Sequence, residues 1–135
     1  MVAVTFTAAA MTAWVAFLAW KTSKTAVEIA GRTEAVQADR VARENRLEFR
    51  NRIVAVAWEH RASHTNRVPS TQHVTAFADA FEIPGAHEII RWMRAEWARE
   101  LAKPSPSLDK LNERLITRIK PWLRGDGVFD ISPSE

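Results

Sequence analysis

The chain has 135 residues, enough for one domain or for a small domain with an appended segment. Its 19 basic and 16 acidic side chains give a net charge of +3, too small an excess to indicate a nucleic-acid partner. With 47% apolar residues, four glycines and no cysteine, the composition excludes a disordered chain, a disulfide framework and a thiolate metal site.

The N-terminal segment, residues 1–20, contains no charged side chain. A helix of nineteen such residues spans roughly 28 Å, close to the thickness of the hydrocarbon layer of a bilayer. Trp20, Lys21 and Lys24 then supply the aromatic and cationic side chains that anchor helices at a membrane surface. The pattern predicts a single transmembrane helix, with the N-terminus outside and the rest of the chain in the cytoplasm, because the basic residues follow the span.

Two other interpretations of this segment stay open. A cleaved signal peptide would have a basic residue before the apolar run and small residues at its exit, and both are missing. A fully buried helix would need a larger core than the remaining chain offers.

Small residues recur at helical spacing inside the segment. Such rows let two helices approach closely, so they predict self-association, although an alanine-rich stretch also produces them by chance. The two rows are Thr5, Ala9 and Ala13, and Ala8, Thr12 and Ala16.

Residues 21–66 predict a charged stalk helix. The segment from Thr25 to His60 has no proline and one glycine, and acid-first pairs four residues apart, such as Glu48 and Arg52, favour a helix. Its apolar residues recur at uneven spacing, which does not support a long regular coiled coil but leaves a short helix pair open. The arginines of this segment alternate with acids, so we interpret them as a solvated helix face.

Residues 67–127 predict a small helical domain, and four tryptophans and two phenylalanines from residue 58 onward are available for its core. Pro69, the pair Pro84-Gly85 and the Pro104-Ser105-Pro106 stretch separate three helices, and Ser70 or Thr71 and then Ser107 are candidate caps. Glu96 and Glu100 stand among arginines and are interpreted as salt-bridged surface residues. The core candidates are Trp58, Trp92, Trp97, Trp122, Phe77 and Phe81.

The last of these helices permits two interpretations. Leu111, Leu115, Ile119 and Trp122 share one face and basic residues flank it, so residues 108–123 fit either a core helix or a basic amphipathic helix on a membrane surface. Residues 128–135 resemble a flexible tail.

No motif predicts catalysis or cofactor binding. The spacing of His60 and His64 would allow a shared metal ion on one helix face, but Arg61 occupies the position of the glutamate in the HExxH pattern. Phosphate-binding loops and nucleophile motifs are absent from the sequence. We therefore expect a protein that is not an enzyme and that carries no cofactor.

The sequence as a whole predicts an all-α protein with one transmembrane helix, a charged juxtamembrane helix and a small helical domain. This layout is typical of small bacterial and phage membrane proteins. We expect an inner-membrane protein whose cytoplasmic module acts through protein contacts as an anchor, adaptor or assembly subunit, with the bilayer, an unknown protein and further copies of itself as partners. The alternatives are a membrane-perturbing, holin-like oligomer and a metal-binding module using His60 and His64.

Overall fold

The computed structural model describes residues 2–63, 66–125 and 128–132, with side chains from residue 7 onward. Four helices account for most of these residues, and no strand occurs among them, which confirms the all-α prediction. Their bounds are α1 Val2–Ser63, α2 Gln72–Ala80, α3 Ala86–Leu101 and α4 Leu108–Arg124. The chain divides into two compact units, residues 1–40 and 41–135, and α1 contributes to both.

The predicted apolar helix and the predicted stalk are one continuous helix. Thr22 lies at their junction, where its hydroxyl could have capped a new helix, but it donates instead to the carbonyl of Leu18 at 2.8 Å. Thr12, Thr25 and Thr33 make the same bond one turn back, which satisfies their hydroxyls without interrupting the helix. Since α1 contains no proline, nothing in its sequence breaks the ladder of backbone hydrogen bonds.

The helices give no support to the predicted transmembrane span. None of those in the described part of the chain offers a stretch long and apolar enough to cross a bilayer. The predicted inner-membrane location, with its outside N-terminus and cytoplasmic domain, is therefore wrong, and the anchoring role of Trp20, Lys21 and Lys24 loses its basis.

The core of residues 41–135 is formed by the end of α1 and by the three shorter helices. Phe49 and Ile53 of α1 are fully buried, and the Phe49 ring meets the edge of Trp122 on α4 with the ring centroids 5.5 Å apart. The buried side chains of α1 thus begin at Phe49, inside the segment 21–66 that the sequence suggested as a stalk. The largest fully buried side chains of the other helices are Val74, Ile89, Met93, Trp97, Leu111, Leu115 and Ile119.

Helix α4 packs in this core, which settles its two interpretations in favour of the core helix. Leu111, Leu115 and Ile119 recur every four residues and are at most 1% exposed. Pro121 lies inside the last turn, and the helix still continues to Arg124 before Gly125 ends it in the left-handed conformation.

Two aromatic residues expected in the core lie partly outside it. Trp58 is 45% exposed, and the guanidinium of Arg61 stacks over its ring at 5.2 Å. Phe81 is 52% exposed and contacts the ring of Phe77 at 4.7 Å. Both rings lie at the end of an amphipathic pattern, where periodicity alone does not decide whether a side chain is covered.

The described part of the tail, residues 128–132, packs on α3 and α4 and so differs from the expected loose tail. Phe129 is 3% exposed and meets the ring of Trp92 edge-on at 5.5 Å. Trp92 Nε1 and Arg118 Nη1 both donate to the carbonyl oxygen of Ser132, at 3.2 and 2.6 Å. A single buried aromatic ring and two donors therefore hold this segment against the helices.

Candidate functional site

The N-terminal part of α1 exposes apolar side chains all around the helix. Every described side chain from residue 7 to residue 40 is exposed. On the surfaces of soluble proteins, exposed large apolar side chains usually occur singly and not in a group. We call residues 7–20 the apolar segment. Its large exposed side chains are Met11 (75%), Trp14 (62%), Val15 (64%), Phe17 (51%), Leu18 (44%) and Trp20 (60%).

Three aromatic side chains form a ridge along one face of the apolar segment. The ring centroids of Trp14 and Phe17 lie 6.3 Å apart, and those of Phe17 and Trp20 lie 6.2 Å apart. Lys24 extends the row, with its Nζ 5.6 Å from the centroid of the Trp20 ring. This contact is a cation–π interaction between neighbours on a helix face, so Trp20 and Lys24 have a role on α1 itself. We refer to Trp14, Phe17 and Trp20 as the aromatic ridge.

The opposite face of the same segment is a shallow groove of about 400 Å³. At 100° per residue, its centre lies about 170° around the helix from the centre of the aromatic ridge. Thr12 presents no free hydroxyl proton there, because its Oγ1 donates to the Ala8 carbonyl at 2.9 Å. The residues that line this apolar groove are Met11, Thr12, Val15, Ala16 and Ala19.

The two predicted rows of small residues lie on different faces of the helix. Thr12 and Ala16 line the apolar groove, and the helical repeat places Ala8 on the same face. Ala9 lies between the apolar groove and the aromatic ridge, and Ala13 lies on the ridge side of the helix, about 40° from the centre of the ridge. The side chain of Thr5 lies outside the described residues.

A cluster of charged side chains connects α3 to α4. Glu96 and Glu100 are 3% and 4% exposed, although the sequence indicated surface positions. Glu96 pairs with Arg99 at 2.7 Å, and Glu100 pairs with Lys103 at 2.8 Å. Arg114 of α4 approaches both carboxylates, at 3.8 and 3.6 Å. The carboxylates thus face the neighbouring helix with their charges compensated by three basic side chains.

Glu100 also organises the turn between the two helices. Its Oε1 accepts a hydrogen bond from the backbone N–H of Ser107 at 2.7 Å. The sequence predicts that the Ser107 hydroxyl caps α4, but this side chain makes no capping bond. Ser107 is fixed at the start of α4 by the bond from its backbone N–H to Glu100. The hydrogen bond from Lys103, then that from Ser107, and the nearby positive charges hold the pKa of Glu100 below its ordinary value.

The predicted metal pair is not assembled in the described structure. His60 is 8% exposed, and its ring meets the edge of Trp97 with the ring centroids 4.6 Å apart. Burial lowers its pKa. His64 lies outside the described residues, and the residues that are described contain no group of three or more metal-ligating side chains.

A small cavity of about 290 Å³ lies where α1, α3 and α4 meet. Arg46, Glu88, Trp122 and Phe129 contribute to its walls. The indole N–H of Trp122 donates to the Pro84 carbonyl at 2.9 Å, which fixes the orientation of this ring in the cavity wall. Its walls therefore combine one cation, one anion and two aromatic rings.

Comparisons with known proteins give no independent guide to these sites. No protein family, curated protein or solved structure matches the chain.

Proposed function

We propose that this protein is a non-catalytic assembly subunit that associates with further copies of itself through the apolar segment of α1. The observation that carries the proposal is the exposure of six large apolar side chains on one helix, each between 44% and 75%. Residues 41–135 are the folded module that each copy brings to the assembly.

The physical reason is the free energy of covering this surface. A helix that is apolar all round is stable only when other groups surround it. Covering a large apolar side chain contributes about 1.5–3 kcal/mol, so six half-exposed side chains supply enough free energy to offset the entropy of association.

A second copy suits this surface because the apolar segment contains no charge. When two copies align, their segments come together without placing an unpaired charge in the contact. The alanines and threonines also allow the helix axes to approach closely. The protein thus keeps the assembly role that the sequence predicts, without the membrane anchor.

The test is the molecular mass of the full chain at increasing concentrations, measured by light scattering or sedimentation. We expect a mass above the 15.3 kDa monomer for the natural chain and the monomer mass for the double variant Val15→Glu with Phe17→Glu. Val27→Glu is the matched control, because Val27 is 72% exposed but lies outside the apolar segment. A natural chain that stays monomeric at every concentration, whether or not it binds phospholipid vesicles, would contradict the proposal.

A further inference from the structure

Arg46 of α1 is a partly buried cation in the wall of the cavity between α1, α3 and α4. Within the described residues its guanidinium makes no hydrogen bond and no ion pair, and its Nε is buried without an acceptor. Arg114 and Arg118 are also partly buried, and each lies within 3.8 Å of a carboxylate from another segment. Because a charge removed from water is normally compensated in this way, the guanidinium of Arg46 is available to an anion from outside the chain.

The position of Gly125 leaves the end of the Arg46 side chain accessible from the cavity. Gly125 follows α4 and also lines the cavity. A Cβ at this position would lie 3.0 Å from Nη1 of Arg46, so Nη1 lies against a part of the wall that has no side chain. The terminal nitrogens of Arg46, and not its buried Nε, are therefore the donors that a ligand can reach.

The other side chains around this cation suit an apolar group. Trp122, Phe129, Pro84 and Val128 contribute rings and aliphatic carbons to the wall. The indole N–H of Trp122 is already bonded to the Pro84 carbonyl, so this ring offers carbon surface and no free donor. An apolar cavity of about 150 Å³ accommodates one benzene molecule. At about 290 Å³, this cavity has room for a ring and one further polar group.

Glu88 is the one acid among the described residues that line the cavity. Its side chain is exposed and forms no ion pair with Arg46. It also lies in the first turn of α3, where the positive end of the helix dipole stabilises a negative charge. Since water and the dipole both screen this carboxylate, its repulsion of an anion bound at Arg46 is small.

We propose that the cavity binds a small carboxylate with an apolar body about the size of one ring. Arginine suits this group, because its planar guanidinium presents parallel N–H donors that match two carboxylate oxygens. In the bound state the carboxylate accepts hydrogen bonds from Arg46, and the body contacts Trp122 and Phe129. The site consists of residues from 41–135 and includes no part of the apolar segment, so it does not depend on the proposed self-association.

Three probes of similar size test the charge that the cavity selects. Phenylacetate carries the carboxylate, phenylacetamide replaces it with a neutral amide, and phenethylamine carries a cation on the same ring. Each is titrated into the full chain by isothermal titration calorimetry. We expect phenylacetate to bind about tenfold or more tightly than either of the others, because only its hydrogen bonds to Arg46 pair two charges. Equal affinities, tighter binding of phenethylamine or no binding of phenylacetate would overturn the proposal.

Three variants of the full chain then locate the binding. Arg46→Gln is expected to weaken the binding of phenylacetate about tenfold or more, whereas Glu88→Gln should leave it unchanged or strengthen it about twofold. Arg50→Gln is the matched control, because it makes the same change one turn along α1 and outside the cavity wall. Thermal unfolding checks that each variant is folded, and Glu88→Gln keeps the test decisive if Arg46→Gln is not. Weaker binding in Glu88→Gln, or unchanged binding in a folded Arg46→Gln, would overturn the site and leave self-association standing.

Discussion

Gly85 ends the turn before α3 in the left-handed conformation, with φ at 78°. A Cβ at this position would lie 2.8 Å from Nε1 of Trp122, a ring that is 4% exposed and bonded to the Pro84 carbonyl. The indole cannot move away without losing that bond and its packing on Phe49. The backbone of Gly85 and the orientation of Trp122 therefore depend on each other.

Gly85→Ala is expected to lower the free energy of unfolding by about 2 kcal/mol or more, because it adds left-handed strain to a steric conflict. Gly125→Ala is expected to cost less, since φ is similar but its Cβ meets only the mobile end of Arg46, at 3.0 Å. Gly31→Ala is the control: its Cβ meets nothing within 4 Å, and alanine favours the helix. Chemical denaturation of the three variants measures this order. If Gly85→Ala had the same free energy of unfolding as the natural chain, the indole would be free to move.

At the scale of elements, the turn between α3 and α4 depends on the charge of Glu100. A carboxyl group whose pKa is lowered by folding stabilises the native state above its unfolded pKa, here about 4.5. That contribution disappears as the pH falls through the lower, folded value. The turn is therefore expected to weaken in acid before the apolar core does.

Glu100→Gln tests this dependence. The variant is expected to lose about 1–3 kcal/mol at neutral pH, because the charge-assisted bond from Lys103 is removed while the amide oxygen still accepts from Ser107. Denaturation measured from neutral to acidic pH should give a flatter stability curve below about pH 4.5 than for the natural chain. Glu113→Gln, an exposed change on α4, serves as the control. Parallel curves for the natural chain and Glu100→Gln would contradict this role.

The helices themselves could be predicted from the sequence, because prolines and glycines separate them and apolar residues recur along each one. The burial of Glu96 and Glu100 could not be predicted, since helical periodicity places charged residues outward unless a partner such as Arg114 arrives from another element. The same limit applies to Phe129, which is buried only through its contact with Trp92. In the apolar segment, the sequence predicts the rows of small residues but not the aromatic ridge, which lies opposite the row of Ala8, Thr12 and Ala16.

At the scale of the whole molecule, all the described side chains that are buried lie in one of the two units, residues 41–135. Described side chains are exposed from residue 7 to residue 44, and the buried core begins at Phe49. The described side chains of residues 7–40 therefore contribute nothing to the buried core. Stability and assembly should consequently respond to different substitutions, because nearly independent sites contribute additively.

A chain of residues 41–135 is the direct test of this separation. We expect it to fold with a thermal midpoint within a few degrees of that of the full chain, because it retains every residue of the core. We also expect it to be monomeric at concentrations where the full chain assembles, because it lacks the aromatic ridge and the apolar groove. Calorimetry and light scattering on the two chains measure both properties. An unfolded product would show that residues 1–40 support the core, and a product that assembles would place the self-association surface in residues 41–135.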